Sequence, residues 1–166
     1  MTPGNNKAEI FRTVRELGPH YDQVVLAGYP PFLKDVIDEG RVSGMEWPRY
    51  RVKLILAGEV FSEEWRALVC ERLGANDPRY DTASLYGTAD GGVLGNETPL
   101  SIAVRRFFAH HPQAAQQVFG ESRLPTLVQY DPLSRLFETH EGTRLVRGDR
   151  VVPWGCNHTA YRGGWF

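Results

Sequence analysis

The stretch Arg51-Val-Lys-Leu-Ile-Leu-Ala57 is a short apolar run that predicts a buried β-strand, and it decides the fold class. A similar run, Gln23-Val-Val-Leu-Ala27, precedes it, and Thr82-Ala-Ser-Leu-Tyr86 follows it. Apolar runs rich in β-branched residues are typical of strands that are buried in a parallel sheet. We therefore predict three such strands, separated along the chain by helices.

Apolar residues at helical spacing predict the helices that separate these strands. We expect helices over residues 6–17 and 31–39, with Gly40 ending the second. A third helix begins after the N-cap Ser62 and ends at Gly74. The order α-β-α-β-α-β with short connections predicts an α/β fold, in which right-handed crossovers build a parallel sheet with flanking helices.

The chain after residue 86 predicts a mixed or antiparallel β portion. Residues 87–95 are expected to form a glycine-rich loop, and residues 127–130 and 135–138 to form the two strands of a hairpin. Helices are expected after the cap Thr98 and over residues 112–119. The first of these helices has a predicted inward face of Leu100, Ala103, Val104, Phe107 and Phe108, with Arg105 and Arg106 on its solvated side.

Length and composition argue against several classes of function. The 166 residues carry 19 basic and 20 acidic side chains, and this formal charge of −1 argues against electrostatic binding of nucleic acid. No run of about 18 apolar residues predicts a transmembrane helix, and the first residues lack the pattern of a secretory signal. The two cysteines form no CxxC pair. We therefore expect a single-domain cytoplasmic protein without a nucleic-acid or membrane partner.

Three predicted loops follow the carboxyl ends of the predicted strands. They comprise residues 28–31, 58–59 and 86–90. Open parallel sheets bind their ligands beyond the carboxyl ends of the strands. These loops are therefore the candidate positions for a binding site.

The segment Tyr86-Gly-Thr-Ala-Asp90 offers groups that suit a nucleotide. Its glycine lets a ligand approach the backbone, the Thr88 hydroxyl suits a phosphate oxygen, and the Tyr86 ring suits a base. The Asp90 carboxylate suits Mg²⁺, which combines one or two carboxylates with substrate phosphates. The spacing alone favours a simpler alternative, a turn with a capping aspartate and a core tyrosine.

Tyr86-Gly-Thr-Ala-Asp90 resembles the Tyr-Gly-x-Thr-Glu motif of the adenylate-forming (AMP-binding) enzymes, in the branch of the phenylacetate–coenzyme A ligases. Leu26-Ala-Gly-Tyr-Pro-Pro-Phe32 and Leu54-Ile-Leu-Ala-Gly-Glu59 precede the motif in the order of that family. Arg123-Leu-Pro-Thr-Leu-Val-Gln-Tyr-Asp131 resembles the strand region that follows it. The resemblance covers residues 5–145 and implies part of the large domain of such an enzyme.

The resemblance implies an enzyme that uses ATP and Mg²⁺ to convert a carboxylic acid into an acyl-adenylate, and then transfers the acyl group to a thiol, commonly coenzyme A. The implied ligands are thus ATP or AMP, Mg²⁺, coenzyme A and the carboxylic acid. By the same resemblance, Gly58 and Glu59 line the adenine pocket and Tyr86 stacks on the adenine.

The remaining motif residues are implied to contact the phosphates and the metal. Gly87 belongs to the nucleotide-binding segment, and Thr88 contacts the α-phosphate as the catalytic residue. Asp90 stands where the family has its metal-binding glutamate, one methylene shorter, and Glu97 is an alternative ligand nearby.

The chain departs from the family in the parts that complete the active site. It has no Ser/Thr/Gly-rich phosphate loop, and no lysine follows Lys53, although the family carries a catalytic lysine in its C-terminal domain. The tail contains Tyr161-Arg162-Gly163-Gly164, but no aspartate follows Asp149 to hold the ribose hydroxyls.

We therefore expect an internal fragment, with a partial nucleotide-binding subdomain over residues 1–147 and an irregular tail over residues 148–166. A truncated acid–thiol ligase of this kind would be weakly active or inactive alone. The alternatives are a non-catalytic nucleotide-binding module, a module completed by a separate chain that carries the missing lobes, and a non-functional gene product. A frameshift would explain the tail, and a Pro-x-x-Arg-Tyr-like segment in another reading frame would support it.

Overall fold

The computed structural model describes residues 2–120, 124–134, 138–141 and 144–147, and its fold is α/β, as predicted. The helices are α1 (Lys7–Leu17), α2 (Pro30–Val42), α3 (Glu63–Leu73), α4 (Pro78–Asp81), α5 (Pro99–His110) and α6 (Pro112–Phe119). The strands are β1 (Val24–Gly28), β2 (Val52–Leu56), β3 (Thr82–Thr88), β4 (Gly92–Asn96), β5 (Glu138–Glu141) and β6 (Arg144–Arg147). Strands β1 to β4 form a mixed sheet in that order, and β5 pairs with β6. The chain divides into two compact units, Met1–Ala83 and Ser84–Phe166.

The parallel pair of β1 and β2 confirms the predicted arrangement of the first two strands. Its register pairs Val24 with Val52 and Leu26 with Leu54. Leu54 of β2 is 1% exposed. Val25, which neighbours Leu26 on β1 and therefore lies on the other face of the sheet, is 46% exposed. The prediction that β1 is a fully buried strand is therefore wrong, because its burial alternates along the strand and one face is open.

Helices α1 to α3 bury their apolar faces in the core of the first unit. The Asn6 side chain caps α1 by accepting a hydrogen bond from the Glu9 N–H, and Ser62 caps α3 by accepting one from the Trp65 N–H. Gly74 follows α3 with a left-handed φ of 67°, as expected of a helix terminator. The most buried side chains of this core are Leu33, Val36, Ile37, Trp47, Leu54, Leu56, Val69 and Leu73.

Gly40 does not end the second helix, because α2 continues to Val42. Gly40 instead lies against the indole of Trp47, where an added Cβ would be 2.3 Å from a ring carbon. Trp47 is fully buried, and its indole N–H donates a hydrogen bond to the Ile37 carbonyl (3.0 Å). The glycine therefore permits close packing of the tryptophan on the helix, and the prediction that it terminates the helix is wrong.

The segment predicted as a glycine-rich loop is largely a β-hairpin. Strand β3 runs on through Thr88, and β4 pairs with it in antiparallel register. The register shifts between Tyr86 and Gly87, which marks a β-bulge. A Cβ on Gly87 would be 2.3 Å from the Gly92 carbonyl oxygen, so glycine is needed for the close approach of the two strands. The loop prediction is wrong because strand pairing overrides the low strand propensity of glycine.

Helix α5 buries a different face from the predicted one. Its start is as expected, since Thr98 and Ser101 form a reciprocal capping box. The buried side chains are Ser101, Ile102 and Arg105, whereas Leu100 is 66% exposed. Val104 and Phe107 are also exposed, so the predicted inward face is wrong for them. The Arg105 Nε donates a hydrogen bond to the Pro125 carbonyl (2.9 Å), which corrects the prediction that Arg105 is solvated.

Residues 127–130 do not form the predicted hairpin strand. Gln129 makes a single antiparallel bridge to Asn96, with backbone hydrogen bonds of 2.8 and 2.9 Å in the two directions. The hairpin lies later in the chain, between β5 and β6. Residues 135–137 of the predicted partner strand and the predicted tail, residues 148–166, lie outside the described residues.

Candidate functional site

The carboxyl ends of β1 and β2 lie side by side. Their register pairs Gly28 with Leu56, the last residue of each strand. The Ala57 N–H then donates a hydrogen bond to the Gly28 carbonyl (3.2 Å). Two of the three predicted ligand loops, residues 28–31 and 58–59, therefore leave the same edge of the sheet.

Tyr29 and Gly58 lie close together at this edge. Tyr29 is 45% exposed and stands between β1 and α2, and Glu59 is exposed. Desolvation, the negative charge of Glu59 and a hydrogen bond from the phenol to the Glu59 carboxylate all raise the pKa of Tyr29. Gly58 has a φ of 93°, and a Cβ there would be 3.4 Å from the Tyr29 ring. The phenol is thus protonated at neutral pH and in contact with the second loop.

Tyr86 lies on β3, opposite Gly95 of β4. Its side chain is half-buried, and burial raises the pKa of its hydroxyl to about 12. The group therefore stays uncharged at neutral pH. Such a ring can offer an apolar surface to a base without bringing negative charge near a phosphate.

Thr88 and Asp90 belong to the turn between β3 and β4. The Thr88 hydroxyl oxygen accepts a hydrogen bond from the Gly91 N–H (2.8 Å), which fixes the turn. Because that bond uses the oxygen as an acceptor, the hydroxyl proton remains able to donate to a ligand oxygen. Asp90 is exposed, so its carboxylate faces solvent.

Glu97, which the resemblance offers as an alternative metal ligand, is buried and holds neighbouring segments together. It is only 3% exposed, and its carboxylate accepts a hydrogen bond from the Ser84 N–H (2.8 Å). The Glu97 N–H donates in return to the Ser84 carbonyl (2.8 Å). These bonds join β3 to the segment that follows β4, so the Glu97 side chain supports the hairpin.

The donor set of the turn fits a magnesium ion that arrives with a nucleotide. Mg²⁺ commonly takes one or two protein carboxylates and completes its octahedron with phosphate oxygens and water. Asp90 supplies one exposed carboxylate of this kind. Over the residues that the structure describes, no three His, Cys, Asp or Glu side chains are grouped so as to hold a metal by themselves.

The predicted site residues divide between the two units of the chain. Gly58 and Glu59 belong to the first unit, whereas Tyr86, Gly87, Thr88 and Asp90 belong to the second. Sequence reasoning did not select Tyr29, although it lies in one of the three predicted loops. The available signal was its position directly after a strand and before two prolines.

A second feature that sequence reasoning did not select is the buried guanidinium of Arg66. Its Nε is 3.0 Å from the Glu63 carboxylate, and the guanidinium lies 4.9 Å above the Phe61 ring. It also donates to the Thr82 hydroxyl. Arg66 therefore joins α3 to the start of β3, which is a structural role.

No protein-family model matches the chain, and a comparison with curated proteins finds no match. The described ranges contain no helix with the length and apolar character needed to span a bilayer. The resemblance to the adenylate-forming enzymes therefore rests on the motifs in the sequence alone.

Proposed function

We propose that this chain is a nucleotide-binding part of an acid–thiol ligase of the adenylate-forming type, resembling the phenylacetate–coenzyme A ligases. The observation that carries the proposal is that the Tyr29 ring lies against Gly58 where two parallel strands end side by side. That edge is where sheets of this kind bind their ligands. Gly58 and Glu59 are also the residues that the family resemblance assigns to the adenine pocket.

In this proposal the hairpin of β3 and β4 contributes the groups for the base and the phosphates. Tyr86 supplies an uncharged aromatic surface for the adenine, and Gly87 permits the close pairing of β3 with β4 that holds this segment. The Thr88 hydroxyl would donate a hydrogen bond to the α-phosphate, and Asp90 would hold Mg²⁺. The ion, when bound, neutralises negative charge on the phosphates.

We propose that catalysis by this chain alone is weak or absent. Stabilising the charge that develops in acyl-adenylate formation requires several positioned cations and donors. No lysine follows Lys53, and the chain has no Ser/Thr/Gly-rich phosphate loop. The carboxylic acid and coenzyme A would bind when a separate chain supplies the remaining lobes. We propose a cytoplasmic location because the reaction consumes ATP.

The second candidate function is a non-catalytic nucleotide-binding module. The same lysine distribution favours it, because a lone nucleotide site needs no catalytic cation. The two candidates share their binding residues, and both predict little turnover by the isolated chain, so binding and catalysis are tested separately.

The binding test is a calorimetric titration of the full chain with ATP, with and without Mg²⁺. We expect Asp90→Ala to weaken ATP binding about tenfold when Mg²⁺ is present and to change little in its absence, one decade being about 1.4 kcal/mol. The matched control is Asp22→Ala, an exposed aspartate that precedes β1 at the opposite edge of the sheet. Absence of binding at millimolar ATP would contradict both candidate functions.

The catalytic test is an exchange of labelled pyrophosphate into ATP in the presence of mixed carboxylic acids. We expect the isolated chain to give little or no exchange above a protein-free blank. Rapid exchange that Thr88→Ala abolishes would instead identify the chain as a sufficient catalyst. It would contradict both the non-catalytic candidate and the proposal that catalysis by this chain alone is weak or absent.

A further inference from the structure

We propose that strand β1 is a docking surface for β1 of a second copy of this chain, so that the sheets of the two copies join. The two strands run antiparallel about a two-fold axis that passes beside Leu26. This inference concerns an interface between copies and does not depend on the proposed function.

Strand β1 is the outermost strand on its side of the sheet. In the part of the chain that the structure describes, it pairs with β2 and with no other strand. The Gly28 carbonyl accepts a hydrogen bond from the Ala57 N–H and therefore points toward the β2 side. Backbone groups of successive strand residues point to alternate sides, so the N–H and C=O groups of Val25 and Ala27 point away from β2. An outer strand of this kind is a template for a further strand.

The segment around β1 lacks three features that commonly prevent outer strands from pairing, namely charged side chains, proline and a β-bulge. Residues 23–29 contain no charged residue and no proline. The register with β2 is regular over all five residues of β1. Lys53 of β2, which is paired with Val25 in this register, is held by the Asp81 carboxylate (2.7 Å). The outer side of β1 is therefore open to a second strand.

A second copy of β1 matches this outer side in both its hydrogen bonds and its charge. Pairing about Leu26 brings Val25 opposite Ala27 of the second copy, and Ala27 opposite Val25 of the second copy. Opposed residues whose backbone groups face each other exchange two hydrogen bonds in an antiparallel ladder. The outward N–H and C=O groups of both residues are therefore all satisfied. Residues 23–29 oppose the same uncharged residues of the second copy, so no like charges meet.

The side chains of the same two residues are also exposed. Val25 is 46% exposed, and Ala27 is exposed as well. Side chains directly opposite each other in an antiparallel pair share a face and contact each other. Val25 and Ala27 of the two copies thus form one small apolar cluster. Because a pair of short strands buries far less than the roughly 1,600 Å² of a standard interface, we expect a weak dimer whose population rises with concentration.

The experiment is sedimentation velocity on the full chain, from micromolar to near-millimolar concentrations. We expect the unaltered chain to convert from monomer to dimer over this range. Val25→Lys should weaken association by at least about tenfold, because it places the charges of the two copies close together on one face. Ala27→Pro should do the same, because it removes an outward N–H. Proline is tolerated where the N–H of an outer strand faces solvent, so this variant keeps the pairing of β1 with β2.

The matched control is Val93→Lys, at an exposed valine of β4, which should leave association unchanged. Far-UV circular dichroism checks that every variant is folded. A chain that stays monomeric over the whole range, or a dimer that either β1 substitution leaves unchanged, overturns the inference.

Hydrogen exchange on the unaltered chain tests the same interface without any variant, and it decides the matter if the variants do not fold. Peptides that cover β1 should gain protection as the concentration rises, whereas peptides that cover β4 should not. Concentration-dependent protection that leaves β1 unchanged would place the interface elsewhere and overturn the inference.

Discussion

Gly40 has the sequence position of a helix terminator, but in the folded chain it serves to make room for a packed side chain. A glycine after a helical pattern commonly marks a helix end. In the folded chain it instead lies under the Trp47 ring, within an α2 that continues to Val42. The ring contact that explains this glycine comes from a residue seven positions away, outside the helix.

We predict that Gly40→Ala lowers the free energy of unfolding by about 1–3 kcal/mol, because the new methyl group would overlap the indole and force Trp47 to move. Urea denaturation followed by tryptophan fluorescence measures the change. The matched control is Gly28→Ala, where the nearest side-chain atom would be 3.6 Å from the Cβ, an ordinary contact. Equal stabilities of the two variants would contradict the packing role of Gly40.

Asp81 makes part of the stability of the first unit dependent on pH. Burial would raise its pKa, but the hydrogen bond and charge of Lys53 (2.7 Å), together with hydrogen bonds from the backbone N–H groups of Asp77 and Asn76, outweigh burial and hold the pKa below the usual value. A carboxylate whose pKa is lowered by folding stabilises the folded state above its unfolded pKa, about 3.9. This contribution is lost as the pH falls through the folded pKa.

We therefore predict that the free energy of unfolding decreases as the pH falls below about 4, and that Asp81→Asn shows a smaller decrease. Urea denaturation at a series of acidic pH values gives both curves. Asp22→Asn, at an exposed position, is the control. Parallel curves for Asp81→Asn and the unaltered chain would rule out Asp81 as the titrating group.

At the scale of the element, α5 shows the limit of periodicity. Its apolar residues fall at helical spacing, but the face that is buried carries Ser101, Ile102 and Arg105. Helical spacing identifies a helix and its stripe of apolar residues. Helical spacing does not determine whether another part of the chain covers that stripe. In α5, Leu100 and Phe107 are exposed, whereas Arg105 is buried and donates a hydrogen bond to the Pro125 carbonyl.

We predict that Ile102→Ala costs about 2–5 kcal/mol of unfolding free energy, because Ile102 is fully buried. Leu100→Ala on the same helix should stay within about 0.5 kcal/mol, as is usual for an exposed substitution away from special contacts. Chemical denaturation followed by circular dichroism measures both. The reverse order of the two costs would support the inward face that periodicity predicts.

At the scale of the whole molecule, buried apolar side chains are concentrated in the first unit. The core cluster lies between Ile10 and Leu73. Among the described residues of the second unit, the buried apolar side chains are Ile102, Ala115, Phe119 and Pro125. Local stability follows the density of buried contacts, so the two units should differ in their resistance to opening.

We predict that backbone amides of β2, such as those of Leu54 and Leu56, exchange with deuterium more slowly than amides of β4, after correction for intrinsic rates. The reason is that opening β2 exposes the core of the first unit, whereas β4 carries exposed side chains such as Val93. Exchange measured by mass spectrometry on peptides of the native chain resolves the two strands. Equal or greater protection in β4 would contradict the prediction.

The amino-acid sequence is enough to predict the α/β class, the first two parallel strands and the caps at Ser62 and Thr98. It is also enough to predict that Gly58 and Glu59 follow a strand end. These features depend on short-range rules, namely apolar runs, helical spacing and hydrogen bonds between residues three or four positions apart.

Contacts between distant segments, in contrast, determine which face of α5 is buried, why Gly40 must lack a side chain, and why the glycine-rich segment pairs as a hairpin. They also bring the Tyr29 ring against Gly58 of a later loop. Each of these depends on which surfaces meet when distant segments pack, because burial and close contact are properties of the assembled chain rather than of any local segment.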